Sequence, residues 1–174
     1  LEQNELNINT GILFSHESEF RRKNFFSKFI IEHLIDFKFN NKEAIKVGNL
    51  DIKRDIGYAK EYVEAIYKIN TYNLKESFIV SSNELYTLNL FVETAMLELN
   101  IDFKKVELNN EIIYIDKKNN KPIIKSSKKL YREIELEGIR GDNYKIMNSL
   151  GWKPESKLKD IVNRMLHYEI NKNK

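Results

Sequence analysis

Short β-branched runs alternate with helical apolar stripes along all 174 residues, and that alternation restricts the chain to a mixed α/β fold. Residues 8–14 (INTGILF) predict a buried strand that runs straight into Ser15 and His16. Apolar residues at Phe26, Phe29, Ile30, Leu34 and Phe37 predict a helix from Asn24, ended by Asn40 and Asn41. Ala44–Val47 predicts a short extended piece closed by Gly48 and Asn49. A second helix is expected from about Gly57, with Ala59, Tyr62, Val63 and Ile66 on one face. Ser77–Val80 predicts another buried strand. Thr87 is the expected N-cap of the clearest helix, which turns Leu88, Phe91, Val92, Ala95, Met96 and Leu99 inward.

Residues 103–125 alternate around a charged tip at 116–120 and predict a hairpin. Asp142 is expected to cap a short helix stopped by Gly151-Trp152-Lys153-Pro154. Ser156 is expected to cap a last helix carrying Leu158, Ile161, Val162, Met165, Leu166 and Ile170. The order has no strict strand-helix-strand repeat. There is no internal repeat or low-complexity linker, and with only two prolines nothing marks a domain boundary.

Composition excludes several function classes. A formal charge of +3 gives no basis for a dedicated nucleic-acid binder. Zero cysteines remove disulfides, thiolate zinc sites and a cysteine nucleophile from this chain. Apolar runs fall far short of the roughly 20 residues that cross a bilayer, so no membrane association is expected. No basic-then-apolar segment opens the sequence, and a cytoplasmic location is the expectation. The three histidines (His16, His33, His167) are scattered, so no metal site is expected. The chain has neither G-x-G-x-x-G nor G-x-x-x-x-G-K-[ST], and so builds neither glycine-rich phosphate cradle itself. Tyr-x-x-x-Lys occurs at Tyr114/Lys118 and Tyr168/Lys172. The first falls on the expected hairpin, where positions i and i+4 do not stack, and the second falls in a last helical turn; both read as chance matches.

Arginine is scarce here. Lysine supplies 23 of the 29 basic residues, leaving Arg21, Arg22, Arg54, Arg132, Arg140 and Arg164. Lys53, Arg54 and Asp55 stand just ahead of the second helix, with Gly57 in the expected turn. A cation beside orphan N–H groups at a helix N-terminus makes an anion site, and a solvated turn with a capping aspartate is the plain alternative.

Three segments then carry a resemblance: G-I-L-F-S-H-E-S (11–18), G-N-L-D-I-K-R-D-I-G-Y-A-K-E-Y-V-E-A (48–65) and L-G-W-K-P (150–154). Together with Arg132-Glu133-Ile134-Glu135-Leu136 and Gly141-Asp142, in the same order and spacing, they resemble the C-terminal half of the GDP-mannose 4,6-dehydratase family. That family belongs to the extended short-chain dehydrogenases/reductases. The resemblance covers about Ile8 to Met165. It implies an α/β fold, with residues 1–174 as the C-terminal nucleotide-sugar-binding part beside a Rossmann sheet whose main part is not in this chain. The N-terminal dinucleotide-binding part, with the family's catalytic Thr, Glu and Tyr-x-x-x-Lys, is not in this sequence.

The resemblance implies NADP as cofactor, with His16 and Arg21 contacting it, and a GDP-sugar substrate. Arg54 and Arg132 match the arginines that clamp the diphosphate, Glu135 matches the carboxylate near the ribose, and Ser15 replaces an asparagine that faces the sugar. Glu19 and Glu133 replace prolines, Arg22 a glycine and Asn83 another glycine. Arg22, Arg140 and Arg164 are expected at the surface. The implied activity is that of a carbon-oxygen hydro-lyase converting GDP-mannose to GDP-4-keto-6-deoxymannose, with the complete protein a homo-oligomer (dimer or tetramer). This half alone is expected to be inactive. Two alternatives stand beside it: a GDP-heptose 4,6-dehydratase, and a catalytically silent nucleotide-sugar-binding module.

Overall fold

The strand expected over residues 8–14 breaks at Phe14. In the computed structural model, which describes residues 8–72, 74–133 and 138–172, Thr10–Leu13 forms β1 and Ser15–Glu17 forms β2. The two belong to different sheets. β1 pairs in parallel with β5 (Ser77–Val80), and β2 pairs in parallel with β4 (Lys53–Tyr58). Phe14 is the joint: its N–H donates to Val80 O at 3.0 Å, and its carbonyl accepts from His16 Nδ1 at 2.8 Å. β6 (Leu85–Thr87) completes the second sheet in the order β2-β4-β6.

A third sheet runs β3-β9-β8-β7, from Ile45–Val47 (β3), Phe103–Leu108 (β7), Glu111–Asp116 (β8) and Pro122–Ser126 (β9). The single hairpin expected over 103–125 is thus a three-stranded meander. Its charged tip lies between β8 and β9 as expected. A second turn at Asn109 and Asn110, both at positive φ (53° and 60°), separates β7 from β8. Asparagine tolerates that region better than other residues with a side chain, so the Asn-Asn pair carries the turn signal.

Five helices occur among the described residues: α1 (Phe26–Asn40), α2 (Ala59–Thr71), α3 (Leu88–Glu98), α4 (Tyr144–Leu150) and α5 (Leu158–Lys172). Asn41 ends α1 in the left-handed region, and Thr87 Oγ1 caps α3 by accepting from Leu90 N at 3.1 Å. Asp142 Oδ1 accepts from Tyr144 N at 2.9 Å ahead of α4, and Gly151 closes that helix at φ 60°. Ser156, by contrast, does not cap α5: it binds Glu61 of α2, and Asp160 Oδ2 takes Lys157 N at 2.9 Å instead. None of these helices is long and apolar enough to cross a membrane.

The core has two parts. Helices α1, α3 and α5 pack against the third sheet around Ile30, Leu34, Phe91, Met96, Ile161 and Met165. A smaller cluster joins α2, α4 and β5 through Tyr62, Ala65, Phe78, Ile146 and Trp152. Trp152 stands edge-on to Tyr62 at 6.0 Å and donates its indole N–H to Glu61 O at 2.9 Å, so the L-G-W-K-P run is an anchor for α2.

Two expectations about faces fail for physical reasons. On α2 the inward residues are Tyr62, Ala65 and Ile69, while Val63 is 62% and Ile66 43% exposed. The helix is rolled by Tyr62, whose ring lies over Gly57 so closely that a Cβ there would sit 2.3 Å away. All four residues of β1 are exposed, Ile12 by 50%, because one neighbouring strand and α2 do not cover both faces.

A parallel pair with an open apolar face is not a self-sufficient element, since parallel sheets are covered on both sides. Residues 1–174 expressed by themselves are therefore expected to self-associate. Light scattering should show aggregates or a loose oligomer, and a monodisperse monomer with a sharp cooperative melt would contradict this.

Candidate functional site

Alternation along two paired strands builds the site. In the β2–β4 ladder Ser15 stands opposite Ile56, His16 opposite Gly57 and Glu17 opposite Tyr58. Side chains two apart share a face. Ser15 and Glu17 therefore face one way with Arg54 and Ile56, and all four line a cleft of about 490 Å³. Phe26, Ile52, Leu88 and Leu130 give it an apolar wall, and Arg132 also lines it. Three sequence-predicted residues, Ser15, Arg54 and Arg132, thus converge on a single cavity from three separate stretches of chain.

Arg132 reaches the cleft because the segment after β9 crosses tightly over Gly48. Ser127 N donates to Val47 O at 2.9 Å, and a Cβ on Gly48 would meet Leu130 O at 3.0 Å. A side chain there would have to push Leu130 back by a few tenths of an ångström, so the glycine favours that crossing. A 3-10 turn at Lys128–Leu130 then aims the chain toward Arg132.

The anion site does not arise as the helix N-terminus argument has it. Residues 53–58 are strand, α2 begins only at Ala59, and Arg54 projects from the strand face. The guanidinium of Arg54 donates to Lys53 O at 2.8 Å. Asp55, on the other face, is neither a cap nor solvated. It is 2% exposed and accepts four hydrogen bonds: from Ser82 N (2.7 Å), Ser82 Oγ (2.6 Å), Asn83 N (3.1 Å) and Gly141 N (3.0 Å). Asn83 adopts φ 59° there, a left-handed position where glycine is the easy residue.

The two residues expected at the cofactor lie off the cleft wall. His16 faces the opposite side, packs on Tyr62 with ring centroids 5.2 Å apart, and is bound at Nδ1 by Phe14 O. A carbonyl only accepts, so Nδ1 carries the proton and Nε2 is the nitrogen left for a ligand. Arg21 lies at the rim. Its Nε sits 3.3 Å from Glu17 Oε2 and its guanidinium stacks 3.6 Å above the Phe25 ring. Glu135 falls outside the described residues. Arg22, Arg140 and Arg164 are exposed, as expected.

Glu17 and Ser27 were missed in the sequence. Glu17 Oε2 accepts from Ser27 Oγ at 2.6 Å, and the carboxylate lies between the cleft and Arg21. Burial pushes its pKa up, opposed by the Ser27 hydrogen bond and by Arg21. The period-two alternation from Ser15 was the available signal. Among the described residues no group of three or more His, Asp or Glu could hold a metal ion. A second cavity of about 260 Å³ is lined by Lys38 and Lys42, whose ammonium groups are engaged by Leu99 O and Asp36.

Comparison with known proteins places this geometry first in a class. The fold is similar to the RMD protein of Pseudomonas aeruginosa complexed with NADPH (TM-score 0.76, 14% identity, 96% of this chain and 49% of that one). It is also similar to a dTDP-glucose 4,6-dehydratase of Bacillus anthracis in complex with NAD (TM-score 0.73, 12% identity, 99% and 48%). The architecture is that of the extended short-chain dehydrogenases/reductases. Within that class the sequence is decisive: the profile described as GDP-mannose 4,6 dehydratase matches residues 1–165, and the chain belongs to that family. The human GDP-mannose 4,6 dehydratase is 31% identical over 160 residues, covering 92% of this chain and 43% of that protein. The enzyme of Sinorhizobium fredii is 26% identical over 166 residues, with 95% and 47% covered. The chain spans a little under half the length of these curated relatives.

Asp55 yields a test of how the site is held. Asp55→Ala should lower the unfolding free energy by at least about 3 kcal/mol, since charge-assisted bonds vanish and buried donors lose their acceptor. Asp55→Asn should recover little, because its NH₂ would face donors. Urea titration at pH 7 measures both.

Proposed function

We propose that residues 1–174 are the nucleotide-sugar-binding part of an NADP-dependent GDP-mannose 4,6-dehydratase. Its product is GDP-4-keto-6-deoxymannose, formed with loss of water. The observation that carries this reading is the meeting of Arg54, Arg132 and Ser15 in one cleft, in a chain of the GDP-mannose 4,6-dehydratase family. Two guanidinium forks above an apolar wall suit a nucleoside diphosphate, with the planar base against Phe26, Ile52 and Leu88 and the phosphates on the arginines. Ser15, at the start of β2 opposite Ile56, is read as the residue that faces the sugar. Its short side chain in place of an asparagine leaves room there and favours a GDP-heptose as the second reading.

Arg21 fits the cofactor's 2′-phosphate. Its guanidinium lies over the Phe25 ring, its Nε makes a charge contact with Glu17 at 3.3 Å but no hydrogen bond, and its terminal nitrogens make no hydrogen bond among the described residues. His16 offers Nε2 alone, with its ring fixed by Tyr62 and Phe14 O. NADP, when bound, would supply the redox chemistry of the dehydration, accepting a hydride from the hexose and later returning it. This chain's residues bind and orient: they hold the diphosphate so that the hexose is presented at a fixed place, and remote grip of this kind speeds a reaction by positioning. Acid–base work falls to residues outside this chain. The complete dehydratase is read as a cytoplasmic homo-oligomer.

In the complete dehydratase, Arg54→Ala and Arg132→Ala should each weaken GDP binding by about 1.5–3 kcal/mol, the worth of a hydrogen bond to a charged group. Arg54→Lys should recover only part, because a point charge does not reproduce two parallel bonds. Calorimetric titration with GDP reads this directly, and unchanged affinity in both alanine variants would remove the arginines from the site.

For Arg21 the expectation is a difference between two cofactors. The 2′-phosphate carries about two charges where NAD has a neutral hydroxyl, so Arg21→Ala should cost NADP on the order of tenfold in affinity and NAD little. Equal loss for both would retire the assignment.

A further inference from the structure

Lys28 is a charged side chain where the pattern of α1 calls for an apolar one. It is 3% exposed, and its Nζ forms an ion pair with Glu169 of α5, itself 3% exposed. A buried pair of this kind is weak support for stability, since apolar residues of equal volume commonly do as well or better. Its geometry points elsewhere. Lys28 Nζ also donates to the backbone carbonyl of Glu19 at 3.0 Å, and it lies 5.2 Å from the centre of the Tyr168 ring. All three groups around the ammonium therefore belong to α5 or to the loop that carries Arg21.

The contacts that follow reach the same loop from α5 and β4. Phe20, 73% exposed, is held edge-on by Tyr168 with ring centroids 5.3 Å apart. The Glu19 carboxylate accepts from Tyr58 OH at 3.2 Å to each oxygen, and Arg164 of α5 stacks 4.3 Å above the Tyr58 ring. Residue 19 is thus fixed at its backbone by Lys28 and at its side chain by Tyr58, two positions ahead of Arg21. Within the loop itself the backbone–backbone bonds are Arg21 N to Ser18 O and Phe25 N to Arg22 O, both 3.1 Å. Two turn bonds do not fix an exposed loop of this length against solvent.

We propose that Lys28, paired with Glu169, is a positioning residue: it fastens the loop 18–23 to the end of α5 and so sets where the Arg21 guanidinium stands. This rests on the reading of Arg21 as a cofactor contact, but the fastening itself is testable without cofactor. Without the pair, the 18–23 loop would remain attached to a folded protein yet sample open states, and Arg21 would lose its fixed place.

The test uses the complete dehydratase with both charges replaced at once, Lys28→Met and Glu169→Leu, so that no unpaired charge remains inside. The melting midpoint should not fall. Brief trypsin treatment should cut after Arg21, Arg22 or Lys23 about tenfold faster than in the parent, with other sites unaffected, because cleavage follows the population of the open loop. NADP affinity should drop about tenfold while NAD changes little, the selectivity a merely structural role would not give. If the double variant does not fold, Tyr168→Ala, which removes the half-buried ring that holds Phe20, should raise the same cleavage. Parent-like cleavage of the loop in a folded variant overturns the proposal. Faster cleavage with NADP affinity unchanged supports the fastening and overturns instead the cofactor role of Arg21.

Discussion

The carboxylate of Asp55 is the interaction on which the rest of the site depends. It draws together three segments that are distant in sequence: β4 itself, the turn between β5 and β6 at Ser82 and Asn83, and the stretch at Gly141. A buried carboxylate is costly unless its lone pairs are filled, and here four donors fill them. Ser81 Oγ to Gly141 O (3.0 Å) and Asn143 Nδ2 to Ser81 O (2.9 Å) tie the same segments a second time. The consequence falls on the neighbouring residue. With Asp55 locked inward, the pleat of β4 leaves Arg54 no choice but the cleft face, beside Ile56 and opposite Ser15.

That arrangement explains which parts were legible in the sequence. Local chemistry was readable: Thr87 caps α3, Asn41 and Gly151 close their helices, and Ser77–Val80 is a strand, because each rests on signals within a few residues. What escaped depends on partners far along the chain. Lys53–Asp55 read as the approach to a helix starting near Gly57, since a buried Asp and a Gly are poor strand residues, and Ser82, Gly141 and Tyr62 make them good ones. The inward face of α2 was misplaced by one position for the same cause, the ring of Tyr62 over Gly57. The site residues came from motif resemblance more than from periodicity, while Glu17 and Ser27 needed the fold to show that they share the cavity of Ser15.

Lysine dominates the basic residues, so the placement of the few arginines is informative. Arg54 and Arg132 lie in the cleft, Arg21 lies at its rim flat on Phe25, and Arg164 lies flat on Tyr58. Each uses something lysine lacks, either the planar fork or the stacking face. The buried lysine among the described residues, by contrast, is Lys28, where three donors radiating from a point suit partners on different sides: Glu169, Glu19 O and the Tyr168 ring. The two cations are used according to shape as well as charge.

The cleft joins two walls of unequal stiffness, and this bears on how it takes a ligand. Ser15 and Arg54 stand on paired strands whose backbone groups are engaged in ladders on both sides of β4. Arg132 hangs from a segment secured by Ser127 N to Val47 O, Leu130 N to Ser127 O and Tyr131 N to Lys128 O, all local except the first. Its own side chain is exposed, whereas Arg54 is half-buried. A ligand bridging both arginines must therefore order the second wall against the first, and part of its contact energy goes to that ordering. Gly48 limits the cost, because the close crossing of Leu130 over a residue without a side chain, with Lys128 N donating to Glu111 Oε1 at 3.1 Å, already holds this wall beside the first. If a nucleotide binds as proposed, the paired strands set its register and the Arg132 segment packs over it.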